Sequence, residues 1–246
     1  SRVIISCGRK SVIPSIALKK KFKKEVFNIH IQDPKVSLDH FDLVVCPSHD
    51  NLEGKNVLKT KGAIHYLSNK EIEKNSKYLK IRKEDKKIVS LILGGPNKYY
   101  DYSEQQINII FNKVKNLFTP DKYKLIIIPS YRTPEKIIKK AYNTFSHNNL
   151  VLKNIDKNAY LSSLSISDII VVTCDSTSMI SESAFTGKPI YVANMPPIRN
   201  NNRFKNFYTQ FKKLDIIRDL EDNINLWSYD QLDEANRIAP IIKERM

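Results

Sequence analysis

Short unbroken runs of apolar residues alternate with longer stretches in which apolar residues recur at helical spacing. In the second half of the chain, Ile88–Leu93, Leu125–Ile128 and Ile169–Val172 are such runs, and their β-branched content is typical of strands buried on both faces. The stretch that begins at Ser103 has capping-box spacing with Gln106, followed by an apolar stripe of helical period. This alternation predicts an α/β fold with parallel, doubly wound, Rossmann-like sheets.

The first third of the chain repeats the alternation on a smaller scale. One stretch, from about Val12 to Phe22, predicts a helix with a buried apolar side. The four runs that predict strands are Val3–Ser6, Val26–Ile31, Leu43–Cys46 and Val57–Thr60. The residues expected on the buried side of the helix are Ile13, Ile16, Ala17 and Leu18.

A hydrophilic, lysine-rich interval over residues 68–87 separates the two parts and predicts a linker. We therefore expect an N-terminal α/β domain over residues 1–80 and a C-terminal α/β domain of nucleotide-binding type over residues 81–228, followed by a helix over residues 229–246. The first strand begins almost at Ser1, with no initiator Met before it. The N-terminal domain is therefore expected to be incomplete, on the side that would hold an acceptor.

The segment after Val172 gathers residues suited to a negatively charged ligand. Asp175, Ser176 and Ser178 crowd the start of a predicted helix, where free amides and hydroxyls favour phosphate. Glu182 lies one turn beyond Ser178 on the same face, so it could accept hydrogen bonds from ribose or sugar hydroxyls. Met179, on the first turn, completes this nucleotide-binding set.

Two more polar loops follow strands of the same predicted sheet. Gly94–Gly95 permits close backbone approach, and the loop Ser130–Thr133 offers the guanidinium of Arg132. Because the carboxyl ends of parallel strands meet at one edge of a sheet, the three loops together predict a phosphate or diphosphate cradle. Helix capping is the alternative role for the two serines, and a surface ion pair is the alternative for Arg132. Thr133 is also predicted to cap a helix that has Pro134 in its first turn.

The loops of the first part carry a different set of polar groups. Gly8 and Arg9 follow the first predicted strand, and Gly62 follows the fourth, which places them on the acceptor side. His49 beside Asp50 could be a general base with its orienting carboxylate. Adjacent residues point different ways in extended chain, so a polar loop contact is the alternative for at least one of the two.

Composition excludes several classes of protein. The chain has 246 residues, 41% of them hydrophobic, which suffices for a core, and no apolar run reaches the length of a bilayer span. Three cysteines without paired spacing indicate a reducing compartment, so a cytoplasmic location is expected. The formal charge of +15 leaves peripheral association with an anionic membrane open, whereas lysine use along the whole chain argues against a dedicated nucleic-acid surface.

Several sharper motifs are missing from the sequence. None of the six glycines has the spacing Gly-x-Gly-x-x-Gly, so a nicotinamide or flavin fingerprint fails. Thr186–Pro189 ends a helix instead of opening one, which excludes a phosphate loop of nucleotide hydrolases. Neither an Asp-x-Asp pair nor a close pair of histidines is present, so no metal and no cofactor is expected.

The chain resembles the mitochondrial fission family named for elongated mitochondria. The blocks that carry the resemblance follow the family's order over most of the chain. They are Ser6–Lys10, Phe41–Val45 with His49–Asp50, Asn56–Leu58 with Gly62–Ala63, Gly94–Gly95, Ser130–Pro134 and Thr173–Tyr191.

This resemblance implies two domains of the glycosyltransferase B fold that face a cleft, and a nucleotide-sugar as substrate. Ser176 and Ser178 would then hold the diphosphate, Glu182 the ribose, and Arg132 or Lys188 would offset the leaving-group charge without metal. Asp50 or His49 would activate the acceptor hydroxyl. The alternative is a non-catalytic adaptor that kept the fold and binds a membrane or, as implied by plant members, a dynamin-like protein.

Overall fold

The computed structural model describes residues 2–82 and 85–246 of the chain; residues 83 and 84 of the predicted linker lie outside the described residues. Within these ranges the chain forms two compact units, one with a four-stranded and one with a six-stranded parallel sheet. Unit 1 comprises the residues up to His65 together with Asp233–Met246, and unit 2 comprises Tyr66–Leu232. The predicted fold class, two Rossmann-like parallel sheets, is confirmed.

Within the described ranges, helices and strands alternate strictly from residue 69 to residue 219, whereas three successive strands follow the first helix. In order, they are β1 (Arg2–Cys7), α1 (Val12–Phe22), β2 (Val26–Ile31), β3 (Leu43–Pro47), β4 (Val57–Thr60), α2 (Asn69–Lys74), β5 (Lys87–Leu93), α3 (Glu104–Leu117), β6 (Tyr123–Pro129), α4 (Glu135–Phe145), β7 (Leu150–Val151), α5 (Lys157–Ile166), β8 (Ile169–Thr173), α6 (Thr177–Ala184), β9 (Ile190–Ala193), α7 (Asn202–Lys213), β10 (Ile217–Asp219) and α8 (Glu234–Glu244).

Helix α1 has the predicted bounds but not the predicted buried side. Of the four residues predicted on the buried side, Ile16 packs beside the buried Val12, whereas Ile13 is 68% and Leu18 41% exposed, and Ala17 is exposed as well. On the same side as Val12, the ammonium of Lys19 donates to the carbonyl of Val26 at 2.6 Å and to the carboxylate of Asp42 at 2.6 Å. These bonds tie the last turns of the helix to β2, and the side that carries residues 12, 15 and 19 faces the sheet.

Helix α8 belongs to unit 1, although it is the last element of the chain. Ile238 packs into the cluster formed by Ile29, Leu43 and their neighbours on the four-stranded sheet. Glu234, in the first turn of α8, accepts a hydrogen bond from the backbone N–H of Lys61 at 2.7 Å. The helix begins after its cap at Asp233, several residues later than the sequence predicted, because residues 220–232 form no helix.

The segment that the sequence predicted as a linker packs on unit 2 as far as the structure describes it. The hydroxyl of Tyr78 donates to Asp156 at 2.7 Å, and the N–H of Leu79 donates to the Ser162 hydroxyl at 3.1 Å. Leu67 is buried in the core of unit 2. The units therefore divide after residue 65 instead of after residue 80.

The six-stranded sheet of unit 2 has the order β10-β9-β8-β5-β6-β7. Its central strands are buried on both faces; Val89 and Leu91 of β5 and Ile170 and Val171 of β8 are 0% exposed. Strand β10 was not predicted, because Ile217–Asp219 holds one apolar residue among charged ones. The chain runs outward from β5 in one direction and from β8 in the other, so the loops after these strands flank a topological switch point, where ligands of such sheets bind.

None of the helices in the described ranges combines the length and the apolar character that a bilayer span requires.

Candidate functional site

The carboxylate of Asp175, directly after β8, joins the three loops at the carboxyl edge of the sheet in unit 2. Its Oδ2 accepts from the N–H of Gly95 at 2.9 Å and from Nη2 of Arg132 at 2.8 Å, and its Oδ1 accepts from the Thr173 hydroxyl at 2.7 Å. Burial raises the pKa of Asp175, and these three donors oppose that effect. With the residue 2% exposed and both oxygens bonded within the protein, Asp175 is an internal anchor, which corrects its assignment to direct phosphate contact.

The glycine pair after β5 is required by the packing of these loops. A Cβ atom on Gly94 would lie 2.1 Å from Oδ2 of Asp175, and one on Gly95 would lie 1.9 Å from the backbone oxygen of Arg132. The sequence predicted that the pair lets a ligand approach the backbone. The structure corrects this, because the space in question is filled by Asp175 and by the loop after β6.

Arg132 is held in one orientation by the same packing. Nη1 donates to the carbonyl of Gly95 at 2.8 Å and Nη2 donates to Asp175, while the side chain remains 40% exposed. A guanidinium has five N–H donors in a fixed fork, so the exposed part of the group can still bind an anion. In this ion pair Asp175 is buried and Arg132 is partly exposed. The sequence had left open an ion pair at the surface.

Thr133 braces the loop after β6 and does not cap α4. Its hydroxyl donates to the carbonyl of Gly94 at 2.6 Å and accepts from the N–H of Ser130 at 2.8 Å. Pro134 occupies the cap position of α4 and makes no side-chain cap bond. The predicted cap is therefore wrong, because the Thr133 hydroxyl is used by the neighbouring loop; Ser130, also predicted as a ligand residue, is half-buried beside it.

The start of α6 combines a cap with exposed groups. The hydroxyl of Ser176 accepts from the N–H of Met179 at 3.4 Å, which is the capping role that the sequence left open. Ser178 is exposed on the first turn, and Met179 is half-buried. The first turn of a helix favours anions, so contact of Ser178 with a phosphate remains a prediction.

A cavity of about 400 Å³ opens in unit 2 beside α6, and Glu182 lies in its wall. The hydroxyl of Tyr160 donates to Oε2 of Glu182 at 2.8 Å and so orients the carboxylate. Burial raises the pKa of Glu182, and the bond from Tyr160 opposes that effect. The other lining residues are Tyr66, Ile92, Ile128, Pro129, Ser130, Tyr131, Ile155, Asp156, Lys157, Tyr160 and Met179.

Lys188 lies at the opposite end of the sheet from this cavity. It follows α6 and precedes β9, and its ammonium donates to the carbonyls of Leu164 at 2.7 Å and Ser165 at 2.5 Å near the end of α5. Cations are favoured at the carboxyl end of a helix. This placement corrects the expectation that Lys188 offsets charge on a leaving group.

The candidate residues of unit 1 lie at the carboxyl edge of its own sheet. Gly8 and Arg9 follow β1, and Gly62 follows β4. His49 and Asp50 lie in a 3-10 turn after β3, with 3.8 Å between Nε2 and Oδ1, so the argument from an extended chain does not apply to them. The His49 side chain is 1% and that of Asp50 12% exposed, so His49 cannot reach an acceptor hydroxyl from this position, and Asp50 remains the predicted base.

Sequence reasoning missed the aromatic part of the cavity. Tyr131 was passed over as part of a polar loop, although an aromatic residue beside Arg132 was a usable signal. Tyr66 and Ile155 lie in segments without a recognisable motif. Among the described residues, no group of three or more His, Cys, Asp and Glu side chains is placed to hold a metal ion.

Two Rossmann-like parallel sheets define an α/β protein of the glycosyltransferase B class of folds. The UDP-GlcNAc 2-epimerase of Neisseria meningitidis, solved bound to UDP-GlcNAc, is similar to it with a TM-score of 0.56 and 13% identity, over 98% of this chain and 76% of that chain. At this level of identity the likeness concerns the fold.

The family follows from the sequence comparison: a profile of mitochondrial fission ELM1 matches residues 1–246, so the chain belongs to the mitochondrial fission ELM1 family. An uncharacterized protein of Rickettsia prowazekii is 28% identical over 98% of this chain and 78% of its own length. The mitochondrial fission protein ELM1 of Arabidopsis thaliana is 24% identical over 99% of this chain, which spans 64% of that protein.

Proposed function

We propose that the chain is a glycosyltransferase-like protein that binds a nucleoside-diphosphate sugar in the cavity of unit 2. The observation that carries the proposal is the Glu182 carboxylate, oriented by Tyr160 in the cavity wall at the carboxyl edge of the sheet. A carboxylate so placed accepts hydrogen bonds from the two hydroxyls of a ribose. The neighbour with bound UDP-GlcNAc supports the same ligand class.

The diphosphate would lie at the exposed start of α6. Ser178 and the first-turn amides offer donors, and the half-exposed guanidinium of Arg132 is held rigidly by Asp175. Preorganised donors of this kind stabilise a leaving diphosphate without a metal ion. Metal-independent transfer is therefore part of the proposal, and the sugar and the acceptor are open to screening.

Glu182→Gln is expected to weaken binding of a nucleoside diphosphate about 10-fold, because a charge-assisted hydrogen bond becomes a neutral one. Calorimetric titration of the full-length protein with the diphosphates of uridine, guanosine, cytidine and adenosine measures this. The melting temperature should barely change, since glutamine keeps the shape and removes a buried charge whose pKa burial already raises.

The matched control is Glu135→Gln, at an exposed position of α4 in the same unit, which should leave affinity unchanged. An equal loss of stability and affinity in Glu182→Gln would make that residue structural. Absence of heat from all four diphosphates with folded wild-type protein would refute nucleotide binding and leave the adaptor hypothesis.

The adaptor alternative is supported by the outward side of α1 in unit 1. Ile13 and Leu18 are exposed there, and so are four lysines around the end of the helix, Lys20, Lys21, Lys23 and Lys24. Apolar side chains beside a basic cluster suit an anionic membrane surface. Binding of a dynamin-like protein would be expected only if the chain acts as an adaptor, and not if it acts as an enzyme.

Replacing Ile13 and Leu18 together by glutamate is expected to abolish co-sedimentation with vesicles that contain one third anionic lipid. The exposed apolar contact is lost and repulsion is added, whereas the fold is unaffected because both side chains face outward. Ile109→Glu, at a 62% exposed position on α3, is the control that should bind as wild type does. Wild-type protein that stays in the supernatant would exclude the membrane function.

A further inference from the structure

Two tyrosines of the cavity are exposed to an unusual degree. Tyr131, on the loop after β6, is 89% exposed, and Tyr66 is 54% exposed. Aromatic rings are mostly buried or half-buried, so two exposed rings at the rim of one cavity are informative in a way that a single exposed apolar residue is not. Both line the cavity that contains Glu182.

Tyr66 is held in place from the side of α5. The ammonium of Lys157 lies 4.3 Å from the centroid of its ring, and the same ammonium lies 3.7 Å from Oε1 of Glu71. A cation over one face of a phenol ring restrains the ring. Partial burial and the carboxylates of Glu182 and Glu71 raise the pKa of Tyr66, and Glu182 lines the same cavity.

Besides Asp156 and Lys157, the cavity wall includes three isoleucines. Ile92 and Ile128 come from the ends of β5 and β6, and Ile155 from the loop after β7. The cavity thus joins a carboxylate that suits a polyol to an apolar, aromatic slot that suits a flat heterocycle. A sugar phosphate without a base would leave the slot empty.

We propose that Tyr66 and Tyr131 form a stacking site for the nucleobase, so that the ligand is recognised by its base as well as by its ribose. This inference rests on the proposed nucleotide binding at the same cavity. Stacking uses the face of the ring and not its hydroxyl, so phenylalanine at either position preserves it. Because every base has a π-face, the slot selects nucleotides over base-free sugar phosphates.

The test is calorimetric titration of the full-length protein with the diphosphate that binds best and with ribose 5-phosphate as the base-free probe. Tyr131→Ala and Tyr66→Ala should each weaken binding of the diphosphate by about 10-fold or more, the usual effect of removing a stacked aromatic ring. Tyr131→Phe and Tyr66→Phe should bind as wild type does. Ribose 5-phosphate should bind at least about 10-fold more weakly than the diphosphate and be insensitive to both alanine substitutions.

Tyr142→Ala is the matched control, since Tyr142 is 38% exposed on α4 of the same unit and the ammonium of Lys153 lies 3.8 Å from its ring centroid, but it does not line the cavity. Failure of wild-type protein to bind any diphosphate would refute the proposed function itself. If both alanine variants bound the diphosphate with wild-type affinity, the stacking site alone would be overturned. The same holds if ribose 5-phosphate bound as tightly as the diphosphate.

Discussion

Gly95→Ala is expected to lower the free energy of unfolding of unit 2 by ~3 kcal/mol or more, at the upper end of overpacking substitutions. The added Cβ would lie 1.9 Å from the backbone oxygen of Arg132, a contact that no rotamer change relieves. The loop after β6 must therefore move as a whole, and the bonds of Arg132 to Asp175 and to the carbonyl of Gly95 are lost with it. The expected result is both a less stable unit and a misplaced guanidinium.

Urea unfolding followed by the fluorescence of Trp227 measures this change. Trp227 is the single tryptophan of the chain and packs against Tyr191 in unit 2. Ser178→Ala, on the exposed first turn of α6, is the control, and it should unfold at nearly the wild-type midpoint. A midpoint for Gly95→Ala equal to that of the control would mean that the loops are not packed as described.

The sequence predicted the strands of unit 2 because burial on both faces forces unbroken apolar runs. The predicted runs Ile88–Leu93 and Ile169–Val172 match β5 and β8 to within one residue at each end. Strand β10 was not predicted, because Arg218 and Asp219 interrupt the apolar run in this strand at an edge of the sheet. Patterning thus identifies the central strands of unit 2 and misses β10, although it predicted the short edge strand β4 of unit 1 with its bounds.

The choice of helix face in α1 was beyond the sequence. Ile13 and Leu18 are apolar and yet exposed, because the side of the helix that faces the sheet carries Val12 and Ile16, which pack on the apolar cluster of Phe41, Val44 and Cys46. A periodicity argument assumes that apolar residues choose the face. Here only two of the apolar residues face the sheet, and Lys19 on the same side bonds the carbonyl of Val26 and the carboxylate of Asp42.

At the candidate site the sequence predicted which loops come together, but not which of their residues pack against each other and which remain exposed. Gly94, Gly95 and Asp175 were expected to contact a ligand, whereas they fill each other's space. A polar group at a strand end faces inward or outward depending on its neighbours from other loops. The hydrophobic pattern along the chain does not show which loops become neighbours. The aromatic slot was missed for the same reason, since Tyr66 and Tyr131 lie 65 positions apart.

Asp175→Ala is expected to cost about 3 kcal/mol of unit 2 stability, the lower end for breaking a buried ion pair because Arg132 is 40% exposed. The substitution leaves the N–H of Gly95 and the Thr173 hydroxyl without their acceptor in a site that is 2% exposed. It also frees the guanidinium, so nucleotide affinity should fall in any variant that remains folded. Urea unfolding and diphosphate titration of the same protein measure the two effects.

A double-mutant cycle with Arg132→Ala separates the anchor from the ligand contact. If Asp175 acts through Arg132, removing both should lower nucleotide affinity no further than removing Arg132 alone, whereas independent contacts with the ligand would add. The stability losses should be less than additive, because Asp175→Ala in the absence of Arg132 no longer strands a guanidinium. Glu135→Ala, which removes an exposed ion pair with Lys139, is the control that should change neither quantity. Additive losses of affinity in the cycle would mean that Asp175 contacts the ligand directly, which would contradict its role as an internal anchor.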